Sequence, residues 1–292
     1  MEGAISSLSE TRNAGLTPRA DHTLDQPLER YTQVDHDTWQ RLYARQTELL
    51  RGRVSNAFYR GLDALDLPSD RVPVFAELNR RIGPLTGWTI VAVPGLLPDE
   101  VFFEHLAHRR FPASWWMRRP EEMDYVEAPD VFHSIFGHAP HLVNPMFADY
   151  LQAFGEGGVK ARRLGALPYL ARLYWHTVKF GLINSVNGLR IYGAGIISSK
   201  SELLYALESH SPNRIGFDLT RVLRTRYRVD TFQRSYFVIS SFRQLYLATR
   251  HDFTPLYELL KPLPDIAAGA LLPDDVVLSQ GDRSGWGDSE DV

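Results

Sequence analysis

The stretch Asp130-Val-Phe-His-Ser-Ile-Phe-Gly-His138 places two histidines five residues apart in an apolar segment. Its composition predicts a buried helix that ends at the Ala139-Pro140 pair. On an ideal α-helix a step of five residues turns the chain by about 500°, so His133 and His138 would point roughly 140° apart. The spacing alone therefore leaves two interpretations open: a pair of ligands for a divalent transition metal, or two ordinary histidines hydrogen-bonded in a core.

The segment Leu173-Tyr-Trp-His-Thr-Val-Lys-Phe-Gly-Leu182 is a second aromatic-rich stretch, within a predicted helix from Leu170 to Leu182. Most of its side chains are typical of a buried packing helix. His176 and Lys179 are three residues apart and would share one face of that helix. A lysine there is ordinarily a solvated surface charge, unless the face borders a cleft.

Three further stretches carry weaker signals. Arg118, within Trp115-Trp-Met-Arg-Arg-Pro120, suits bidentate capture of a carboxylate, although a surface arginine stacked on tryptophan fits equally well. His141 follows Pro140, and we expect it at the surface rather than as a ligand. Ile191-Tyr-Gly-Ala-Gly-Ile-Ile-Ser-Ser199 contains two glycines but matches no dinucleotide-binding or P-loop pattern, so it predicts no nucleotide site.

The composition bounds the class of protein. Of the 292 residues, 44% are hydrophobic and 12% aromatic, enough to bury a sizeable core. A net charge of −3 gives no general attraction to nucleic acid or anionic membranes, so we expect a small-molecule substrate. The chain has no cysteine, which excludes disulfides, thiolate ligands and a cysteine nucleophile. No leader or membrane-spanning pattern is present, and we expect a cytoplasmic protein.

The periodicity of apolar residues predicts a fold that is mainly α with a few short β-strands. Residues 1–28 are polar and are expected to form a flexible or loosely docked arm, followed by a single domain over residues 29–292. The stretch Trp88–Pro94 is β-branched and predicts a strand, and Leu189–Tyr192 and Arg228–Phe232 are candidates for short strands.

Three stretches, Pro129–Pro140, Leu173–Leu182 and Tyr192–Ser199, closely resemble the signature segments of the pterin-dependent aromatic amino acid hydroxylases, and the bacterial members most of all. Further matches are Val91-Ala-Val-Pro-Gly-Leu96, Phe102-Phe-Glu-His-Leu-Ala107, Arg110-Phe-Pro-Ala-Ser-Trp-Trp116 and Tyr227-Arg-Val-Asp-Thr-Phe-Gln233. The resemblance covers nearly the whole chain from about residue 28. It implies a largely helical catalytic domain of the aromatic amino acid hydroxylase type. Such a domain holds one Fe(II), uses a tetrahydropterin and O2, and hydroxylates the ring of an aromatic amino acid.

The resemblance also implies roles for individual residues. His133 and His138 would be iron ligands, and Arg118, supported by Asp130, would bind the carboxylate of the amino acid. The implied ring-pocket residues are Pro129, Trp175 and Phe180, with Ser198 behind His133, and the implied pterin-binding residues are Gly95, Leu96, Phe102, Ser134 and Tyr174. Because the regulatory domain and the oligomerisation helix of animal members have no counterpart, the resemblance implies a monomer.

Three positions depart from the family pattern. Lys179 occupies the position of the third iron ligand, a glutamate in the family, while Ser134 replaces an acidic residue near the pterin and His176 replaces an aromatic residue. An ammonium about 4 Å from a divalent metal would be repelled by about 8 kcal/mol at an effective dielectric of roughly 20. Three accounts remain open: a substitute ligand such as His176, a neutral Lys179 that ligates directly, or loss of hydroxylation, with the chain binding an amino acid or pterin or catalysing different metal chemistry. The carboxylates Glu156 and Glu202 have no geometric reason to take part.

Overall fold

The structure, a computed structural model, describes residues 13–286. Helices dominate this part of the chain, in agreement with the fold class predicted from the sequence. The α-helices are α1 (Gln33–Leu50), α2 (Asn56–Leu65), α3 (Phe75–Thr86), α4 (Asp99–Ala107), α5 (Ala139–Leu142), α6 (Pro145–Arg163), α7 (Leu167–Tyr174), α8 (Ala194–Ile197), α9 (Lys200–Glu208), α10 (Leu219–Arg224), α11 (Phe242–Thr249) and α12 (Thr254–Leu260). The strands are β1 (Thr89–Val93), β2 (Arg110–Ser114), β3 (Leu182–Ser185), β4 (Gly188–Ile191), β5 (Asn213–Gly216), β6 (Ser235–Ile239) and β7 (Val277–Ser279). The segments π1 (Phe132–His138) and π2 (Trp175–Lys179) are π-helices.

Local sequence explains where several helices begin and end. The helices α9, α10 and α11 each follow a side chain that accepts a hydrogen bond from the backbone N–H three residues later, namely Ser199, Asp218 and Ser241. Helix α3 ends at Gly87, whose φ of 73° is a left-handed conformation that glycine adopts without strain. None of the helices described is long and apolar enough to cross a membrane.

The described chain forms two compact units, of which the first comprises residues up to Leu49 together with Asn56–Glu156. In this unit β1 and β2 pair in parallel, and α3 packs against β1. Helix α2 packs closely on α5 at Gly61. The absence of a side chain there allows the approach, because a Cβ would collide with the backbone of Pro140. The segment π1 lies between β2 and α5 in the chain and contacts both.

The second unit comprises Leu50–Ser55 and the chain from Gly157 onward. Its five-stranded sheet has the order β4-β3-β6-β5-β7, in which β3, β6 and β5 run parallel and the two edge strands run antiparallel to their neighbours. The segment Leu50–Ser55 joins this unit because the N–H of Ser55 donates to the carbonyl of Ile191 at 2.8 Å. The sheet holds π2 in place, since the chain passes from π2 into β3 after two residues.

Part of the predicted N-terminal arm, residues 1–28, lies outside the described residues. From residue 13 onward this segment contacts the first unit. The side chain of Asn13 donates to the carbonyl of Pro94 at 2.9 Å and accepts from the indole N–H of Trp115 at 2.9 Å. Leu24 is buried and its backbone N–H donates to the carbonyl of Ala92. The predicted boundary between arm and domain at residue 29 stays a prediction.

The strand predictions agree with the structure at two of three positions. Strand β1 falls within Trp88–Pro94, and β4 overlaps Leu189–Tyr192. The predicted strand Arg228–Phe232 is wrong. The Arg228 side chain folds back on Asp230 at 3.0 Å, and its backbone N–H donates to Gln233 Oε1 at 3.1 Å, so the segment forms a loop before β6.

The expectation that His141 lies at the surface is also wrong. Pro140 lies in the first turn of α5, where a backbone N–H would have no partner within the helix. The proline therefore begins a helix instead of ending one. That helix carries His141 into the core, with its ring 5.7 Å from that of Phe58 and 5.2 Å from that of Phe147. Burial lowers the pKa of His141 to about 3, so its imidazole is neutral at physiological pH.

Candidate functional site

The two histidines of the opening stretch converge because their segment is a π-helix. In a π-helix the backbone hydrogen bonds join residues five apart, so His138 lies one turn beyond His133 on the same side. Their Nε2 atoms are 3.3 Å apart, and the ring of Phe111 packs 5.0 Å from that of His138. Two imidazole nitrogens at this separation could both hold one divalent metal ion, which would supply the redox chemistry of the site. The predicted α-helical divergence of these side chains is wrong.

A buried ion pair lies beside this histidine pair in the first unit. Arg118 donates from Nε to Asp130 Oδ2 at 2.7 Å and from Nη2 to Asp130 Oδ1 at 2.9 Å. The exposed fraction of each side chain is below 5%, so the pair is almost completely removed from water. Burial opposes the charge on Asp130, but the adjacent guanidinium and the hydrogen bonds outweigh it and lower the pKa of this carboxyl.

Asp130 connects this ion pair to the histidines. Its Oδ1 also accepts a hydrogen bond of 2.9 Å from the backbone N–H of His133, at the beginning of π1. One carboxylate therefore orients the guanidinium of Arg118 and the first turn that carries His133. Arg118 uses Nε and Nη2 on Asp130, which leaves Nη1 as the donor available to an anionic ligand.

In the second unit, π2 carries Lys179 over an aromatic face. The N–H of Phe180 donates to the carbonyl of Trp175 at 2.9 Å, a hydrogen bond across five residues. Lys179 Nζ lies 4.1 Å from the centre of the Trp175 ring, and Trp175 stacks on Tyr227 at 4.2 Å. Burial lowers the pKa of Lys179 to about 8, so roughly nine tenths of this side chain is still an ammonium at pH 7.

His176 is held elsewhere in the same unit. Its ring is buried, Nε2 lies 3.2 Å from the carbonyl of Thr225, and the Phe237 ring is 5.0 Å away. A carbonyl can only accept, so Nε2 carries the hydrogen. Burial lowers the pKa of His176 to about 4, which makes it a neutral imidazole.

The two glycines of Tyr192-Gly-Ala-Gly195 lie directly against the end of π2. A Cβ at Gly193 would lie 2.5 Å from both the Lys179 carbonyl oxygen and the Gly181 nitrogen. A Cβ at Gly195 would lie 2.9 Å from that same Lys179 oxygen. The two glycines therefore allow the chain to pass directly against the end of π2.

The family profile described as biopterin-dependent aromatic amino acid hydroxylase matches residues 15–256. The chain belongs to this family. It is 59% identical over 289 residues to a phenylalanine-4-hydroxylase of Chromobacterium violaceum, covering 99% of this chain and 97% of that protein. It is 62% identical over 278 residues to a phenylalanine-4-hydroxylase of Ralstonia nicotianae, covering 95% of this chain and 89% of the relative.

Solved structures agree with these sequence matches. The Fe(III)-bound phenylalanine hydroxylase of Chromobacterium violaceum matches with a TM-score of 0.91 at 60% identity, over 93% of this chain and 99% of that one. The iron- and phenylalanine-bound form matches with a TM-score of 0.89, again over 93% and 99%. The predicted fold class and the predicted aromatic amino acid hydroxylase activity are confirmed. The predicted cofactors, iron and a tetrahydropterin, are confirmed for the family to which the chain belongs.

The residues present fit the iron of this hydroxylase family only in part. His133 and His138 supply two converging imidazole nitrogens. Within residues 13–286, however, no cluster of three or more His, Asp or Glu side chains could hold a metal. Among the described residues the two histidines are thus not joined by a carboxylate in such a cluster, and the resemblance predicts Lys179 at the position of the family's glutamate ligand.

The pterin-binding residues expected from the resemblance fall on several elements. In the first unit, Gly95 and Leu96 form the turn after β1, and Leu96 is 65% exposed. Phe102 lies on α4 with its ring 5.8 Å from that of Phe103, and Ser134 is buried inside π1. The remaining residue, which belongs to the second unit, is Tyr174 at the end of α7. Their roles stay predictions.

The expected ring-pocket residues are also distributed. Pro129 is partly exposed and directly precedes Asp130. In the second unit, the Phe180 ring lies 5.2 Å from that of Trp175. Ser198 ends α8 and donates from Oγ to the carbonyl of Ala194 at 2.8 Å. The sequence-based argument missed Tyr227, which stacks on Trp175, although the Tyr227–Gln233 stretch was among those that matched the family.

Proposed function

We propose that this hydroxylase acts on L-phenylalanine, hydroxylating the ring at position 4 with O2 and a tetrahydropterin, as a step of phenylalanine catabolism. The observation that carries the proposal is a buried network in which Asp130 accepts hydrogen bonds from Arg118 and from the first turn of π1. A free amino acid carboxylate would meet the remaining Nη1 of Arg118. Three relatives at 56–62% identity are named phenylalanine-4-hydroxylase, which supports this substrate.

His133 and His138 are the proposed metal ligands, and the third ligand is the open question. His176 is a poor substitute, because Nε2 is bonded to the Thr225 carbonyl and the ring is enclosed by Phe237. Lys179 could ligate only in its neutral form, which is roughly a tenth of the population at pH 7 with a pKa of about 8. We therefore propose that this chain binds iron through two histidines, more weakly than a member that has the glutamate.

The test is to load the purified protein with Fe(II) and assay tyrosine formation from L-phenylalanine with a tetrahydropterin. The proposal predicts turnover that depends on added iron and saturates only at high metal concentration. The proposal would be contradicted if the protein takes up no metal and shows no turnover at any iron concentration. Arg118→Lys is the matched variant for the substrate. It keeps the positive charge but loses the bidentate contact with Asp130 that orients the guanidinium, so it should raise KM for phenylalanine.

A second candidate function is binding of an aromatic amino acid or pterin without hydroxylation. It is favoured by the missing third carboxylate among residues 13–286. Calorimetry should then detect binding of phenylalanine or tetrahydropterin to a protein that produces no tyrosine. Turnover by the wild-type chain would exclude it.

The remaining proposals concern the cellular location, oligomeric state and binding partners of the enzyme. We propose that it works as a cytoplasmic monomer without nucleic acid or membrane partners. The net charge of −3 and the pI near 6.4 support this, since neither favours polyanionic surfaces.

A further inference from the structure

A chain of hydrogen bonds in the second unit runs from the C-terminal segment to π2. It begins at Asp275, whose Oδ1 accepts from Arg221 Nε at 2.8 Å and whose Oδ2 accepts from the backbone N–H of Leu272 at 2.8 Å. The exposed fraction of both side chains is at most 5%, so solvent does not screen this ion pair. Asp275 thus attaches α10, which carries Arg221, to the segment that follows α12.

The next link is Thr225, just after α10. Arg221 Nη1 donates to Thr225 Oγ1 at 2.5 Å, and the hydroxyl donates back to the carbonyl of Arg221 at 2.6 Å. Arg221 Nη2 donates to the carbonyl of Ala270 at 2.6 Å. Both hydrogen-bonding functions of the Thr225 hydroxyl are used, and the residue is fully buried. These hydrogen bonds hold Thr225 against Arg221 at the end of α10.

The last link reaches π2. The carbonyl of Thr225 accepts the Nε2–H of His176 at 3.2 Å, and two residues further on Tyr227 stacks on Trp175 at 4.2 Å with an interplanar angle of 15°. The segment from Thr225 to Tyr227 therefore holds two consecutive side chains of π2. One of them, Trp175, carries Lys179 on its face.

We infer that Asp275, Arg221, Thr225 and His176 form a positioning relay that sets the orientation of Trp175, and through it the fit of the aromatic ring of the substrate. The link to substrate rests on the proposed function, but the orientation of Trp175 does not. None of the four is a catalytic residue. They act through the π-helical turn, with the Arg221–Asp275 ion pair as the anchor.

The geometry explains why a histidine replaces the usual aromatic residue at position 176. An aromatic hydrocarbon could fill the space beside Phe237 but could not donate to the Thr225 carbonyl, which is fully buried. His176 combines the ring with the donor. The carbonyl would otherwise lose its only side-chain partner in the relay, at the cost that accompanies an unsatisfied buried acceptor.

The test is ¹⁹F NMR of protein containing 5-fluorotryptophan, with the Trp175 signal among the six tryptophans assigned by Trp175→Phe. Asp275→Asn removes the charge of the anchor, and Thr225→Val removes the hydroxyl while keeping the shape. Both should shift or broaden the Trp175 signal. Thr225→Ser, which keeps the hydroxyl, should leave it in place. If Asp275→Asn does not fold, Thr225→Val and Thr225→Ser decide.

The matched control is Asp252→Asn, which removes the exposed ion pair of Asp252 with Lys160 at 2.6 Å in the same unit. It should leave the Trp175 signal unchanged. The inference is overturned if the signal is the same in wild type, Asp275→Asn and Thr225→Val, or if Asp252→Asn moves it equally.

A kinetic readout extends the test to the substrate. In Thr225→Val, KM for phenylalanine should rise by about tenfold while kcat changes less, since the variant displaces a pocket wall and not the reacting groups. An unchanged KM with a displaced Trp175 would overturn the link to substrate fit. Absence of phenylalanine binding by the wild type would instead contradict the proposed function, and the NMR result would still decide the relay.

Discussion

The resemblance to the family predicts that Lys179 stands at the position of a glutamate iron ligand. In Lys179→Glu a positive charge is replaced by a negative ligand, so Fe(II) affinity should rise by at least about a hundredfold, the equivalent of about 3 kcal/mol. The measurement is metal content and affinity by calorimetry with elemental analysis. Lys179→Gln is the control, because it removes the repulsion without supplying a carboxylate, and should give a smaller gain. Equal affinities for wild type and Lys179→Glu would show that residue 179 is remote from the metal.

Asp130 should be the most sensitive of the substrate-site residues. Asp130→Ala leaves the Arg118 guanidinium buried without its counter-ion and removes the acceptor of the His133 N–H. Loss of one member of a buried pair costs about 3–5 kcal/mol, so we expect destabilisation of that size in urea unfolding. The exposed pair Arg19–Asp25 provides a control in the same unit, where Asp25→Ala should cost below about 1 kcal/mol. Similar losses in both variants would contradict the importance of burial.

Glu202 predicts a pH dependence of stability. It is buried and accepts a hydrogen bond from the Tyr236 hydroxyl, and burial raises its pKa from 4.5 to about 7. The folded protein therefore keeps the proton between pH 4.5 and about 7 while the unfolded chain has lost it, so this contribution is present below that window and is lost as the pH rises through it.

The variant that isolates this effect is Glu202→Gln, which keeps the acceptor for Tyr236 but cannot ionise. Relative to wild type it should be more stable by about 1–3 kcal/mol at pH 8 and nearly equal at pH 4.5. Urea unfolding at the two pH values gives the comparison. A difference that does not change with pH would rule out Glu202 as the group responsible.

At the scale of elements, the close approach of α8 to π2 gives a sharp test. Gly193→Ala would place a Cβ 2.5 Å from the backbone at Lys179 and Gly181, neither of which can rotate away. We expect destabilisation of about 2–3 kcal/mol in thermal or urea unfolding, with a change in the environment of Trp175. Gly157→Ala is the control. Gly157 lies inside α6, and its new Cβ would be an ordinary 3.8 Å from the Leu170 side chain, so this substitution should stabilise the protein by about 0.5–1 kcal/mol. Comparable losses in both variants would mean that the approach is not tight.

The sequence predicts both site segments as helices but not their winding. Apolar periodicity reports which residues face a core, and it does not distinguish hydrogen bonds across four residues from hydrogen bonds across five. For that reason the spacing of His133 and His138 looked unfavourable, although in π1 it is the spacing that brings their nitrogens within 3.3 Å. The strands β2, β5, β6 and β7 were not predicted, because each has only three to five residues and its pairing depends on distant segments.

At the scale of the whole molecule, resemblance to a family identified far more of the site than periodicity did. It assigned Arg118 and Asp130 as a pair, which the structure contains, whereas residue types alone left Arg118 open between capture of a carboxylate and a surface arginine stacked on tryptophan. It did not identify the Asp275–Thr225 relay. Its long-range links join Asp275 to Arg221, 54 residues apart in sequence, and the Thr225 carbonyl to His176, 49 residues apart, and no local residue pattern encodes such contacts.

The expected oligomeric state is a whole-molecule prediction. Light scattering after size exclusion should give a mass near 33.3 kDa, the mass of one chain, at micromolar concentration. A monomer should give this mass at low and at high salt alike. A mass near twice this value would contradict a monomer.

The contact of Gly193 and Gly195 with π2 has an evolutionary consequence. Both glycines meet the carbonyl of Lys179 and not its side chain, so the backbone at this position is shaped independently of the residue it carries. Lysine and glutamate codons differ only in their first base. One transition in that codon would therefore exchange the ammonium for a carboxylate without a compensating change in either glycine.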